Sequence, residues 1–267
     1  MAPNHQFAVL PSPEEVRGLN NLTGKVALVT GGGSGLGRAM AWALACHGAS
    51  IVIVDRDGPS AAACATEIAN GTGRCTMSAV AEVSDEAAVE RAAAAVSAEF
   101  GNVDILVNNA GHNIRKPMLE FTCEEFDSLY KVHVRGTFLF CRALGPQMQK
   151  RRTGSIINIA SILGQVGARN VAPYAAAKAS LAQLARVLAL EMAPFGVRVN
   201  AIAPGYIDTP LTRQHAPEVR KMITDHTPLG RFGEANELIG PVVFLASDAS
   251  SFVTGATLVI DGGWTAQ

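Results

Sequence analysis

K-V-A-L-V-T-G-G-G-S-G-L-G, Lys25 to Gly37, is the stretch whose reading decides the fold. Val26–Val29 is a short apolar run of the kind that forms a buried strand, and Arg38–His47 carries an apolar face at helical spacing. Thr30 and five glycines lie between them. A phosphate can approach backbone only where no Cβ intervenes, and a helix that opens there offers unpaired N–H groups and a positive dipole end. Strand, glycine loop and helix in that order predict a dinucleotide site. A glycine loop alone also marks a tight turn, so the prediction needs support from the rest of the chain.

The 267 residues are 48% hydrophobic and 17% charged, with a formal net charge of −1. That is ample for one large core and gives no overall basic field for nucleic acid or anionic lipid. Lys150, Arg151 and Arg152 form the one basic run and complement the C-terminal dipole of the helix they end. Five scattered cysteines with no metal-ligand spacing predict free thiols in a reducing compartment. With no transmembrane-length segment and no signal-like N-terminus, a soluble cytoplasmic protein is expected.

Residues 1–21 carry three prolines and read as a loosely ordered arm, one that could lie on a neighbouring subunit. From Leu22 onward strand-like and helix-like segments alternate through residue 267. Strands are predicted at Ser50–Val54, Thr76–Val83, Val103–Val107, Ser155–Ala160, Val197–Ala203 and Thr257–Ile260. Helices are predicted at Pro59–Asn70, from Asp85 to Phe100, through the long stretches Thr122–Arg152 and Pro173–Phe195, and near Glu218–Asp225 and Glu234–Ala246. This alternation predicts a single α/β domain, 22–267, with a doubly wound parallel sheet of about seven strands covered on both faces.

Ligands of such sheets sit outside the carboxyl ends of the strands. There the chain places the glycine loop, Asp55, Glu82, Asn108, Ser161 and Pro204-Gly205. Asp55, eighteen residues past Gly37, stands where an acidic residue can bind an adenosine ribose; a turn aspartate would also sit at a strand end. Tyr174 and Lys178 are four apart at the start of a long helix and share a face, with Ser161 thirteen residues upstream. Singly, a helical tyrosine is a packing residue and a lysine a solvated one. Together, beside a nucleotide loop, they compose a hydride-transfer site.

The chain from Leu22 to its end resembles the short-chain dehydrogenase/reductase family. T-G-G-G-S-G-L-G at Thr30–Gly37, N-N-A-G at Asn108–Gly111, Ser161 with Y-A-A-A-K at Tyr174–Lys178, and N-A-I-A-P-G-Y-I-D-T at Asn200–Thr209 carry the resemblance. It implies that Tyr174 is the general acid/base, that Ser161 hydrogen-bonds the same substrate oxygen, and that Lys178 holds the nicotinamide ribose and favours the tyrosinate. One ammonium at about 4 Å, at an effective dielectric near 20, supplies the roughly 4 kcal/mol needed to bring a tyrosine from about 10 to about 7. The implied cofactor contacts are Gly31, Ser34, Gly35, Leu36, Gly37, Asp55, Arg56, Glu82, Val83, Asn108, Ala110, Gly111, Tyr174, Lys178, Pro204, Gly205, Ile207 and Thr209. The implied substrate contacts are Ser161, Tyr174, His112, Gln165 and Tyr206.

Two positions depart from the family's pattern. His133 stands where asparagine is usual in a water-linked proton relay, and Glu82-Val83 follows the third strand where aspartate is usual beside adenine. The relay uses a main-chain carbonyl that any residue supplies, so His133 is kept as a catalytic candidate with its imidazole's part open. Asp55 would repel a 2′-phosphate, which predicts NAD, with Arg56 as the one nearby cation to oppose it. His112–Pro117, Glu237–Leu245 and the D-G-G-W ending resemble the sugar-acid and polyol branch, that of gluconate 5-dehydrogenase and 2-deoxygluconate 3-dehydrogenase. Arg115 or Lys116 could pair a substrate carboxylate or stand in a solvated loop. A 3-oxoacyl-thioester reductase has nearly the same motifs, and a non-catalytic nucleotide sensor would need none of Ser161, Tyr174 and Lys178. The family's habit implies a homotetramer through the two long helices and through the last helix and strand.

Overall fold

A computed structural model of the protein describes residues 10–209, 212–214 and 216–267. Seven strands form one sheet: β1 (Val26–Thr30), β2 (Ser50–Asp55), β3 (Thr76–Val80), β4 (Ile105–Asn108), β5 (Gly154–Ile159), β6 (Val197–Pro204) and β7 (Thr257–Ile260). Their order is β3-β2-β1-β4-β5-β6-β7, and every neighbouring pair is parallel. Parallel pairing requires a crossover between strands, which is why each strand is followed by a helical segment. The helices are α2 (Gly35–Cys46), α3 (Gly58–Thr72), α4 (Glu86–Phe100), α5 (Cys123–Tyr130), α6 (Gly136–Arg151), α7 (Ala172–Met192), α8 (Pro217–His226) and α9 (Ile239–Ala246), after a short α1 (Pro13–Gly18).

Two apolar layers, one on each face of the sheet, explain why β1 is buried along its whole length. Leu28, Val52, Leu106 and Ile156 face α4, α6 and α7, whereas Ala27, Val29, Ile51 and Ile105 face α2, α3 and α9. The chain leaves β1 toward β2 and later returns to β1's other side as β4. The two connections diverge at the carboxyl end of β1, and that divergence opens a crevice.

Two expectations are corrected, the end of the third strand and the continuity of the long helix. The third strand ends at Val80, not Val83, because Glu82 turns the chain: its carbonyl accepts the Asp85 N–H and its side chain accepts from Ser84. Asp85 then caps α4 as expected, through the Ala88 N–H. The long helix predicted over Thr122–Arg152 is α5 and α6 joined by a wider π-turn at Lys131–Arg135. The arm's first nine residues lie outside the described ones. Pro13–Gly18 is a helix with a Ser12/Glu15 capping box, and Leu19 and Asn20 hydrogen-bond to Ala249 and Ser247 of their own chain. In the basic run, Arg151 binds Asp104 at 2.8 Å and Arg152 donates to the Pro194 carbonyl, so both tie strands and helices together as well as ending α6.

Candidate active site

A cavity of about 490 Å³ follows the crevice from Asp55 to Lys178. At its nucleotide end the loop after β1 turns on Gly31 and Gly35, whose φ values of +61° and +52° suit glycine. Gly35 has nothing within 4 Å of where a Cβ would stand, so its backbone is bare toward the cavity. Asp55, at the end of β2, is the loop's anchor. One carboxylate oxygen accepts the Gly33 N–H at 3.0 Å and the other the Asp57 N–H at 3.1 Å. Ser34, Leu36 and Arg56 complete this wall with Ala81, Glu82 and Val83. Arg56 reaches Glu82 at 4.0 Å, so that glutamate faces a cation.

Past β4 the chain crosses the crevice. Thr30 Oγ1 accepts the N–H groups of Asn109 and Ala110, and the Asn109 amide donates to the carbonyls of Thr30 and Gly31, each at 3.0 Å. Ala110, Gly111 and His112 are thereby held as the cavity's floor. His133, carried inward by the π-turn, is buried behind them, and its Nε2 lies 2.8 Å from the His112 carbonyl oxygen.

The chemical end is built by β5 and α7. Ser161 follows β5 and caps a single turn, its Oγ accepting the Leu163 N–H at 3.1 Å. Pro173 stands in the first turn of α7, and Tyr174 and Lys178 project from the same face. Lys178 Nζ donates to the Ile159 carbonyl at 2.6 Å and lies 5.7 Å from the Tyr174 ring centre. Burial pushes the Tyr174 phenol up to about 12; a hydrogen bond with Ser161 and the Arg115 charge oppose it without prevailing. Burial also pushes the Lys178 ammonium down to about 7. Without ligands, burial thus raises the phenol rather than lowering it, and the charge that opposes this is that of Arg115 rather than Lys178.

A second cavity of about 340 Å³ adjoins the first and shares Asn113, Ser161, Tyr174, Gly205 and Thr212 with it. Its further wall includes Arg115, Tyr206 and Gln214. The neighbours Arg115 and Lys116 have opposite fates. Lys116 is paired with Glu125 and lies over the Phe121 ring, whereas no carboxylate among the described residues pairs with Arg115. Tyr206 packs on Trp264 at 4.8 Å between ring centres. Pro204, Gly205, Ile207 and Thr209 line the first cavity.

Three expected residues are not on either wall. Gln165 is exposed beyond the Ile162–Gly164 turn. Asn108 is buried and donates to Asn158, tying β4 to β5. Gly37 packs α2 against the Gly31 carbonyl and the Asn109 amide. Asn109, Asn113, Thr212 and Gln214 were missed as site residues. Asn109 stands in the quoted N-N-A-G and Asn113 in the quoted His112–Pro117 stretch; Thr212 and Gln214 carry no signal of their own.

Comparison with known proteins agrees with this geometry. A family model described as enoyl-(acyl carrier protein) reductase matches residues 31–265. The 3-oxoacyl-[acyl-carrier-protein] reductase FabG of Escherichia coli K12 is 39% identical over 91% of this chain and 98% of its own length. The 2-dehydro-3-deoxy-D-gluconate 5-dehydrogenase of Dickeya dadantii is 42% identical over 92% of this chain and 98% of its own. A crystal structure of a gluconate 5-dehydrogenase from Burkholderia cenocepacia J2315, in complex with NADP and tartrate, superposes with a TM-score of 0.90 at 38% identity, covering 93% of this chain and 98% of that one.

Proposed function

The chain belongs to the short-chain dehydrogenase/reductase family of oxidoreductases, and we propose that it interconverts a secondary alcohol and a ketone with NAD, on a sugar acid or polyol. The observation that carries the substrate reading is Arg115: a guanidinium without a carboxylate partner among the described residues, on the wall that also holds Ser161 and Tyr174. An exposed planar cation on that wall suits a carboxylate at one end of a polyhydroxy chain whose carbinol lies at Tyr174. Similarity to the gluconate enzymes of Dickeya and Burkholderia supports the same class.

The residues fit a bound dinucleotide. The bare Gly35 backbone and the start of α2 would take the pyrophosphate, and the free edges of the Asp55 carboxylate the adenosine ribose. When bound, the nicotinamide supplies or accepts the hydride. Tyr174 then gives a proton to the substrate oxygen in reduction and takes it back in oxidation. A phenol pushed up to about 12 is protonated at neutral pH, ready for the first of these. Ser161 Oγ accepts the Leu163 N–H, which leaves its own hydrogen for Tyr174 and, with substrate present, for the substrate oxygen. Lys178, fixed by the Ile159 carbonyl, lends positive charge next to the phenol. Ile207 and Thr209 would border the carboxamide.

Asp55 supports NAD, since a 2′-phosphate would meet its charge. NADP in the Burkholderia relative marks the alternative, with Arg56 as the residue that could accept it. A homotetramer through α6 and α7 is part of the reading: Phe138, Val187 and Leu190 stand exposed on those helices, and light scattering at micromolar concentration checks it. Five free cysteines support a reducing, cytoplasmic setting, and among the described residues no helix is long and apolar enough to cross a membrane.

The test is turnover by the purified protein with NAD and NADP against sugar acids, polyols and 3-oxoacyl thioesters. Highest kcat/KM on a sugar acid or polyol with NAD is expected. Preference for a 3-oxoacyl thioester would overturn the substrate reading, and preference for NADP the cofactor reading.

A further inference from the structure

Arg220 belongs to α8 yet spends its guanidinium on the segment that follows β6. The helix that carries it is docked, since Ile223 on the same face is buried. The guanidinium carbon lies 4.2 Å from the centre of the buried Phe232 ring, a flat seat that suits a planar cation. From there Nη1 donates to the Thr212 carbonyl at 3.2 Å and Nη2 to the Asp208 carboxylate at 3.3 Å. One side chain of one helix thus grips that segment at two points.

The segment is otherwise tied mostly to itself. Thr212 Oγ1 donates to the Ile207 carbonyl at 2.6 Å and accepts the Thr209 N–H at 2.9 Å. Among the described residues, the remaining side-chain hydrogen bonds of Thr209, Thr212 and Arg213 close on Asp208 or on one another. At the segment's start the Asp208 N–H donates to the Gly233 carbonyl at 2.7 Å. Further along, Arg220 is the tie. What it steadies is cavity wall: Ile207, Thr209 and Thr212 line the first cavity, and Thr212 lines the second as well. Taking the guanidinium away strands no carboxylate, because Asp208 also pairs with Arg213 at 3.0 Å.

We propose that Arg220 is a positioning residue for the nicotinamide: from its seat on Phe232 it holds Thr212 and Asp208, and so keeps Ile207 and Thr209 where they border the carboxamide. This rests on the dinucleotide reading above. Arg220 itself lines neither cavity, so it acts through Thr212. The physical gain is preorganisation. A wall that is already ordered loses little freedom when the ring arrives, whereas an untied one has to be ordered by the ligand. The effect is confined to the nicotinamide end. The adenosine end rests on Asp55 and the glycine loop, which hold each other through the Gly33 N–H.

NADH and ADP-ribose, which lacks the nicotinamide, separate the two ends when each is titrated by calorimetry. Arg220→Met keeps an apolar stem over Phe232 without the fork. Arg220→Lys keeps a charge for Asp208 but not the planar pair of donors. Lys221→Met is the control: the same charge is lost from the next residue of α8, where the lysine pairs with Asp225 at the exposed surface. Arg220→Met should weaken NADH by about fivefold or more and leave ADP-ribose within about twofold, with Arg220→Lys between and Lys221→Met unchanged. Thr212→Val should weaken NADH likewise, and adding Arg220→Met to it should cost little more, because both act through Thr212. Equal weakening of the two ligands marks a merely structural role and overturns the proposal. Unchanged NADH affinity in Arg220→Met, or fully additive losses in the double variant, overturns it too. A protein that takes only the phosphorylated cofactor is tested with NADPH and 2′-phospho-ADP-ribose, so loss of the NAD reading leaves this comparison standing. Failure of every dinucleotide to bind overturns the dinucleotide reading and this proposal with it. Circular dichroism checks that each variant is folded.

Discussion

Gly37→Ala tests how the nucleotide loop is built, because the added atom has nowhere to go. Its Cβ would collide with the Gly31 carbonyl oxygen, stand 2.9 Å from the carbonyl carbon and 2.5 Å from the Asn109 amide nitrogen. The Gly31 carbonyl cannot retreat, because Gly31 N–H donates to Val54 on β2 at 2.7 Å. The Asn109 amide can move only by giving up its bonds to the Thr30 and Gly31 carbonyls. Overpacking costs about 1–3 kcal/mol, and two lost hydrogen bonds about 1 kcal/mol each. The sum, about 3–5 kcal/mol, corresponds to a fall in Tm of roughly 6–20 °C for a chain of this size. Thermal unfolding at fixed concentration and scan rate measures it. NADH affinity should fall with it, since the same loop forms the cavity wall. Gly18→Ala is the control: nothing lies within 4 Å of its Cβ, and Tm should stay within about a degree. A Gly37→Ala protein that melts within about 2 °C of wild type and binds NADH normally would refute this account of the loop.

Three other outcomes are expected. Tyr174→Phe removes only the proton-carrying oxygen, so kcat should drop by about 100-fold or more with NADH affinity retained, measured by steady-state kinetics and fluorescence titration. Asp55→Asn can still accept the Gly33 N–H but loses the charge. A like-charge pair at about 4 Å costs roughly 4 kcal/mol at an effective dielectric near 20, and half of that after screening is more than tenfold, so kcat/KM with NADP should rise by about tenfold or more. Arg115→Met should raise KM for acidic substrates by about 10–100-fold, the worth of a charge-assisted hydrogen bond, with neutral polyols little changed.

What was legible in the sequence divides by range. The β1 run, the glycine loop and the helix after it are contiguous, and local chemistry dictates each; so do the Asp85 cap and the alternation that implies a parallel sheet. The π-turn at Lys131–Arg135 had no such mark. One extra residue in a helical turn leaves no proline or glycine inside it and only slightly disturbs an apolar period, yet it carries His133 inward to the His112 carbonyl. Arg115 and Lys116 could not be told apart either. Their difference is made by Glu125, which caps α5 with Thr122 and reaches Lys116 but not Arg115. Gln165, implied as a substrate contact, stands exposed beyond the Ile162–Gly164 turn and on neither cavity wall, a placement no local spacing encodes.

The Tyr174 result shows why spacing locates a site better than it sets its acidity. The i,i+4 relation of Tyr174 and Lys178 is a property of one helix and was readable. The attraction between them is a pair term, also computable in advance. The desolvation that opposes it comes from β5, the turn after it, the floor at Gly111–His112 and the π-turn, four segments spread over some fifty residues of sequence. No window of sequence contains that environment. It pushes the phenol up and the ammonium down together, so the protein alone does not hold both groups charged. A further positive charge or a further hydrogen bond, arriving with the ligands, has to tip the pair, and the burial that raises this requirement also makes each such contact count for more.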